Sequence, residues 1–119
     1  MNELNEILLL KQNYISEDKW TVVSGYVVEG ETIEEAVARE VKEETGQIVT
    51  KCQYVSSYYF EPKQLIMIGF IAYVKKSEFA DSVEVDDHKW YKISEIDAVI
   101  ARENNCSGMH FDMCKNFLK

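Results

Sequence analysis

Residues 25–46 read GYVVEGETIEEAVAREVKEETG, and the placement of acids in this run decides how the chain folds and what it holds. Thr32 followed by Glu35 has the spacing of a capping box, which starts a helix just after Glu31. Gly46 supplies the residue that stops one. On a 3.6-residue period Ile33, Ala36, Val37 and Val41 share one apolar stripe that should face a core. Glu40 and Glu44 fall close to the midline of that stripe, with Glu43 on its edge. A buried carboxylate is costly unless it is paired or metal-bound. Glu40 and Glu44 are also an i,i+4 pair of like charge. Glu43 and Glu44 lie in the last helical turn, whose partial charge is already negative. Three penalties converge on one small region, and a divalent cation is the simplest group that lifts all three.

The rest of the chain sets the bounds. At 119 residues it is expected to form one domain, 1–119, with a modest core. Hydrophobic residues make up 46%, so a folded globular domain is expected rather than a disordered chain. The net charge of −8 opposes non-specific binding to a nucleic acid polymer or an anionic membrane, both of which need a basic surface. It does not oppose a phosphorylated small molecule whose charge is neutralised by metal ions. The apolar runs Ile7–Leu10 and Leu65–Ile68 are far too short to span a bilayer. The first residues show no charged-then-apolar leader. Cys52, Cys106 and Cys114 form an odd set without framework spacing, which fits reduced thiols in a cytoplasmic protein.

Around the central helix, expected over Ile33–Thr45, the pattern gives strands and short helices. Ile7–Gln12 reads as a strand and Asn13–Lys19 as a polar loop. Trp20–Val28 is rich in β-branched and aromatic residues and reads as a strand kinked at Gly25. Gln47–Phe60 and Gln64–Lys75 form a hairpin-like pair about Glu61–Pro62–Lys63. Ser77–Asp87 is an acidic loop and His88–Ile93 a strand. Ser94 is expected to cap a helix over Glu95–Ala101, with a last helical stretch after Asn104–Gly108. This order predicts an α/β (α+β) fold, a mixed β-sheet with helices packed on its faces.

By spacing, the opening run is Gly25, five residues, Glu31, seven residues, then Arg39-Glu40-Val41-Lys42-Glu43-Glu44-Thr45-Gly46. This resembles the Nudix box, the signature of the Nudix hydrolase superfamily, here over residues 25–47. Every fixed position matches except the last, where Gln47 replaces an aliphatic; Ile48, one place later, is expected to fill the same pocket. An acidic amphipathic helix taken alone is most simply a solvated face, but so many specified positions at fixed spacings outweigh that reading.

The resemblance implies an α/β/α sandwich with the box helix packed on a mixed sheet. It also implies that Glu40, Glu43 and Glu44 bind Mg²⁺ or Mn²⁺, hard ions suited to oxygen ligands. Glu31 would brace the loop against Arg39, Arg39 would orient the acids, and Gly25 would offer its carbonyl to the metal. The later segment Val83–Tyr91 is similar to one in the family, where a glutamate lies six residues before a strand-starting Trp. That position is Glu84, a metal ligand or general base, with Asp86 and Asp87 as near competitors. The implied reaction is metal-assisted hydrolysis of a diphosphate linkage in a nucleoside diphosphate derivative. Glu40, Glu43 and Glu84 all stay open as the base. A Nudix-like domain that binds a nucleotide without turnover is the alternative.

Ser56, Tyr59 and Pro62 loosely match an array found in NADH pyrophosphatases, although most of that array is absent. Tyr58, Tyr59 and Phe60 are candidates to stack on a base, or else alternate between core and surface. Cys106, His110 and Cys114 recur every four residues, but they lack a fourth ligand and Gly108 interrupts them, so core or surface is the better reading. Family members usually begin with a strand ahead of the one at Ile7–Gln12. Here the sheet lacks it, a partner chain such as a second copy in a homodimer covers the edge, or the sequence is a shortened form.

Overall fold

The computed structural model describes residues 1–12, 18–103 and 105–118. The apolar alternation of 49–74 folds back on itself as an antiparallel hairpin, β2 (Val49–Phe60) with β3 (Leu65–Val74), following β1 (Glu6–Lys11). A short 3₁₀ turn at Glu61–Lys63 makes the reversal, and Gln64 closes it in the left-handed region at φ 52°. Register shifts at Val49/Lys51 and Tyr54/Ser56 twist the hairpin. β1 pairs antiparallel with β4 (Asp87–Lys92). Two two-stranded ladders are therefore present among the described residues, in place of one continuous mixed sheet. Among the described residues the parallel component is one bridge, between Trp20 and Ile100. Met1 pairs with the edge of β3, its amino group donating to Ala72 O and its carbonyl accepting from Val74 N.

The strand expected over Trp20–Val28 shrinks to the bridge at Trp20–Thr21, and Val22–Val28 runs without ladder pairing. Its backbone is claimed elsewhere: Trp20 N donates to Val99 O, and Val22 N to Ser107 Oγ at 3.0 Å. The helix expected at Glu95–Ala101 is a 3₁₀ segment, Ile93–Ala98, whose entry is held by Lys92 N donating to Glu95 Oε1, with no capping by Ser94. Gly108 does not interrupt the last helix. It lies in the first turn of α2 (Ser107–Cys114), where a Cβ would strike the Arg102 side chain. Most of the loop expected at Asn13–Lys19, and Asn104 in the expected break, lie outside the described residues.

Leu9, Tyr91, Ile96, Ile100 and Phe111 form the core cluster, which ties the β1–β4 ladder to α2. None of the helices described is long and apolar enough to cross a membrane. The central helix, α1 (Ile33–Thr45), has the predicted ends. Thr32 Oγ1 accepts from Glu35 N, and Thr32 N donates to Glu35 Oε1. Gly46 adopts φ 78° and donates to Lys42 O. A side chain at Gly46 would also strike Ala80, 2.7 Å from the ideal Cβ position. Of the apolar stripe, Ala36 and Val41 are buried, whereas Ile33 is exposed and Val37 half-buried. The stripe borders a cavity of about 1030 Å³ instead of solid core.

Candidate active site

That cavity runs from the box helix to α2, and its acidic end is lined by Gly25, Glu40, Glu44 and Glu84. Helical periodicity turns Glu44 inward, where it is only 5% exposed. Among the described residues its Oε2 is the one buried side-chain oxygen or nitrogen without a hydrogen-bond partner. Burial, followed by the charges of Glu40, Glu84 and Glu43, pushes its carboxyl up to about 7. Gly25 packs directly on Glu40: a Cβ there would lie 2.2 Å from the carboxylate carbon. A side chain there would force the Glu40 carboxylate to turn aside.

Arg39 organises the outer side. Its Nε and Nη2 both donate to Glu31, at 3.0 and 2.7 Å, and Nη2 also reaches Tyr26 O at 2.9 Å. Nη1 donates to Glu40 at 2.7 Å and Glu43 at 3.3 Å. Glu31 in turn accepts from Val28 N, so one guanidinium joins the 26–31 loop to α1. These bonds hold the Arg39 guanidinium above its ordinary range and the Glu31 carboxyl below its own. Glu43 is exposed on the helix edge. Glu84 makes no ion pair among the described residues, which leaves its carboxylate uncommitted.

The structure thus brings Gly25, Glu40, Glu44 and Glu84 to one wall and holds Glu40 and Glu43 on Arg39. No three acidic, imidazole or thiol side chains among the described residues converge into a ready-made metal cage. The donor chemistry nevertheless fits a hard cation: the acids are oxygen ligands, and a buried carboxylate oxygen among like charges lacks a partner.

The structure does not bring the aromatic triplet Tyr58, Tyr59 and Phe60 to one face. Tyr58 is tied to α2, its hydroxyl donating to Cys106 O at 3.4 Å and lying 3.2 Å from His110 Nδ1. Phe60 is buried, and Tyr59 is exposed on the opposite strand face. Period-two alternation explains all three. Cys106, His110 and Cys114 line the cavity as free thiols and a half-buried imidazole, and form no metal-binding group among the described residues.

Ile48 is 56% exposed and fills no pocket. Gln47 itself is fully buried, its amide bonded to Ser77 and Glu78. The sequence showed a polar residue at that position but not its partners, thirty residues on. His88 is a second residue whose role was hidden: its Nε2 lies 2.7 Å from Glu44 O, at the end of the box helix.

Residues 1–108 match the family model described as NUDIX domain. The chain is 38% identical over 96 residues to the NAD-capped RNA hydrolase NudC of Photobacterium profundum, covering 80% of this chain and 36% of that protein. It is 33% identical over 96 residues to human NAD-capped RNA hydrolase NUDT12, covering 80% of this chain and 21% of that one. The chain therefore spans a fifth to about a third of the length of these relatives. In fold it resembles the NUDIX domain of Shewanella oneidensis NrtR, solved in complex with ADP ribose, with a TM-score of 0.76 over 96% of this chain and 78% of that one at 15% identity. The match to MutT from Aliivibrio salmonicida and Vibrio cholerae has a TM-score of 0.74 over 98% and 92% at 22% identity. The box spacing, the Arg39-centred acid cluster and a family match across residues 1–108 agree: this chain belongs to the NUDIX domain family.

Proposed function

We propose that this domain hydrolyses a diphosphate linkage in a nucleoside diphosphate derivative, with Mg²⁺ or Mn²⁺ bound by Glu40, Glu43, Glu44, Glu84 and the Gly25 carbonyl. The observation that carries the reading is the buried, unpartnered Glu44 Oε2, facing acids of the same sign. A bound divalent ion supplies charge neutralisation for two adjacent phosphates and makes ionising a water less costly. The chain's residues do the rest. Arg39 keeps Glu40 and the 26–31 loop in place. Glu84, which like Glu44 is not engaged by Arg39 but unlike Glu44 is exposed, accepts a proton from the attacking water as one P–O bond forms and the bridging P–O bond breaks. Glu40 and Glu43 are less suited as base because one oxygen of each is bonded to the Arg39 guanidinium.

The substrate we favour is an NAD-type dinucleotide, free or as the cap of an RNA, because relatives named NAD-capped RNA hydrolases share 32–40% identity with this chain. With a net charge of −8, a capped RNA would be held through its diphosphate and not through its polymer. Tyr26, 68% exposed beside Gly25, offers a ring for a base in place of the Tyr58–Phe60 triplet.

The test is release of a nucleoside monophosphate from NADH, ADP-ribose and nucleoside triphosphates with Mg²⁺ or Mn²⁺. Chelation should abolish turnover, and Glu84→Gln should lower kcat by about 10²–10⁴-fold with little change in KM. Full kcat in Glu84→Gln would remove it as the base. Nucleotide binding without hydrolysis of any compound would favour the alternative, a regulatory binding domain. The ion pairing of Glu40 and Glu43 to Arg39, away from Glu44, is the feature that keeps that second reading open.

A further inference from the structure

The loop that delivers Glu84 is latched to the end of α1, and the latch is built on a position where this chain departs from the box pattern. Gln47 Nε2 donates to Ser77 O at 3.0 Å and Glu78 O at 3.2 Å. Gln47 Oε1 accepts from Ser77 N at 3.0 Å and Ser77 Oγ at 3.1 Å. Both amide ends are thus satisfied inside the protein, at a residue with no exposed surface. Three neighbours reinforce the latch. Ala80 N donates to Thr45 O, and Ala80 packs against Gly46. Phe79 stacks on His88 with centroids 4.7 Å apart, and His88 reaches the Glu44 carbonyl.

An aliphatic side chain at position 47 is content with any apolar contact, so it tolerates sliding of what lies over it. A buried amide is content only where all its partners meet it, because each unpaired polar group costs free energy. Gln47 therefore specifies one register of the loop over the helix end. Past the latch the loop turns at Ser82–Val85 and is tied to β1 by Asp86 N donating to Lys11 O. Glu84 lies in the span between these two anchors, on the wall shared with Glu40 and Glu44.

We propose that Gln47 is a positioning residue: by fixing Ser77–Ala80 on the end of α1, it sets the place of the Glu84 carboxylate relative to Glu40 and Glu44, and so tunes divalent-ion affinity and turnover. This rests on the metal-site reading above. The test is Gln47→Leu in the full chain, which roughly keeps the volume and removes the four bonds to Ser77 and Glu78 together with the one from Nε2 to Thr45 O. Amide exchange over residues 76–82 should accelerate about tenfold or more. Mn²⁺ binding, titrated directly without substrate, should weaken about tenfold, the effect typical of losing an outer-shell partner. The kcat should fall more than KM rises. Faster exchange with unchanged Mn²⁺ affinity and kcat would overturn the proposal, as would unchanged exchange. If Gln47→Leu fails to fold, Ser77→Ala removes one bond of the latch at an exposed residue and should show the same changes at smaller size; no change in any of them overturns the proposal. Glu44→Gln separates the two readings. Unchanged Mn²⁺ binding in Glu44→Gln would overturn the metal site and this inference with it. Weakened binding there, but not in Gln47→Leu, would overturn this inference alone.

Discussion

Glu44→Gln should make the metal-free protein more stable at neutral pH and at the same time eliminate the proposed divalent-dependent turnover. Both effects follow from one buried carboxylate. Its folded pKa is raised to about 7, first by burial and then by Glu40, Glu84 and Glu43. A carboxyl whose pKa rises on folding contributes nothing unfavourable while it is protonated in both states. The penalty starts above the ordinary carboxylate pKa and grows until pH passes about 7. Metal-free protein should therefore lose stability between pH 4.5 and 7, by on the order of 2 kcal/mol after solvent screening is allowed for. The amide removes that dependence. Thermal melting in chelator across this range should slope downward for the parent and run flatter for Glu44→Gln. With Mg²⁺ added, the parent should gain stability and the variant should not. A variant that keeps full turnover would remove Glu44 from the ligand set, and parallel melting curves would remove the raised pKa.

Arg39→Lys should cost about a hundredfold in kcat/KM although the charge is kept, because misplacement by about an ångström is enough for such a loss. The guanidinium makes two bonds to Glu31 and one each to Glu40, Glu43 and the Tyr26 carbonyl. A single ammonium cannot reproduce that planar fork. Glu40 would then be free of its anchor while Glu31 lost its grip on the loop, so Gly25 and Glu40 would no longer be held face to face. Arg39→Ala should also change the acid side of the stability profile. Glu31 is lowered mainly by the Arg39 bonds and then by Val28 N. Its contribution is present above the ordinary carboxylate pKa and lost as pH falls through the folded one. Without Arg39 most of that acid-side slope should vanish. Steady-state kinetics and acid titration of the fold check the two claims; activity within threefold of the parent in Arg39→Lys would sink the first.

Local signals in the sequence resolved well. The ends of α1 were readable because Thr32, Glu35 and Gly46 act within one turn of each other. The hairpin about Glu61–Lys63 was readable because its turn and alternation are contiguous. Val22–Val28 misled, since β-branched composition reports a preference for partly buried backbone and not the presence of a pairing strand; here the segment lines a cavity. Tyr58 and Phe60 were open between stacking and burial, and α2 decided the first of them from forty-eight residues away. Gln47 was legible only as a mismatch. Its meaning depends on Ser77 and Glu78, and no periodicity links those positions.

The two ladders differ sharply in how far apart their strands lie along the chain. β2 and β3 meet across a short turn, with Phe60 opposite Leu65, whereas β1 meets β4 with Lys11 opposite Asp87. Loop-closure entropy rises with the length enclosed, so the hairpin is free to form early and the β1–β4 ladder must come late. The tie that holds the far side of the Glu84 loop, Asp86 to Lys11, belongs to that late ladder. Assembly of the acid wall is therefore coupled to the last topological step of folding, and pulsed hydrogen exchange should find the hairpin amides protected before those of β1. A chain arrested short of that step would have its box helix and hairpin but no completed site.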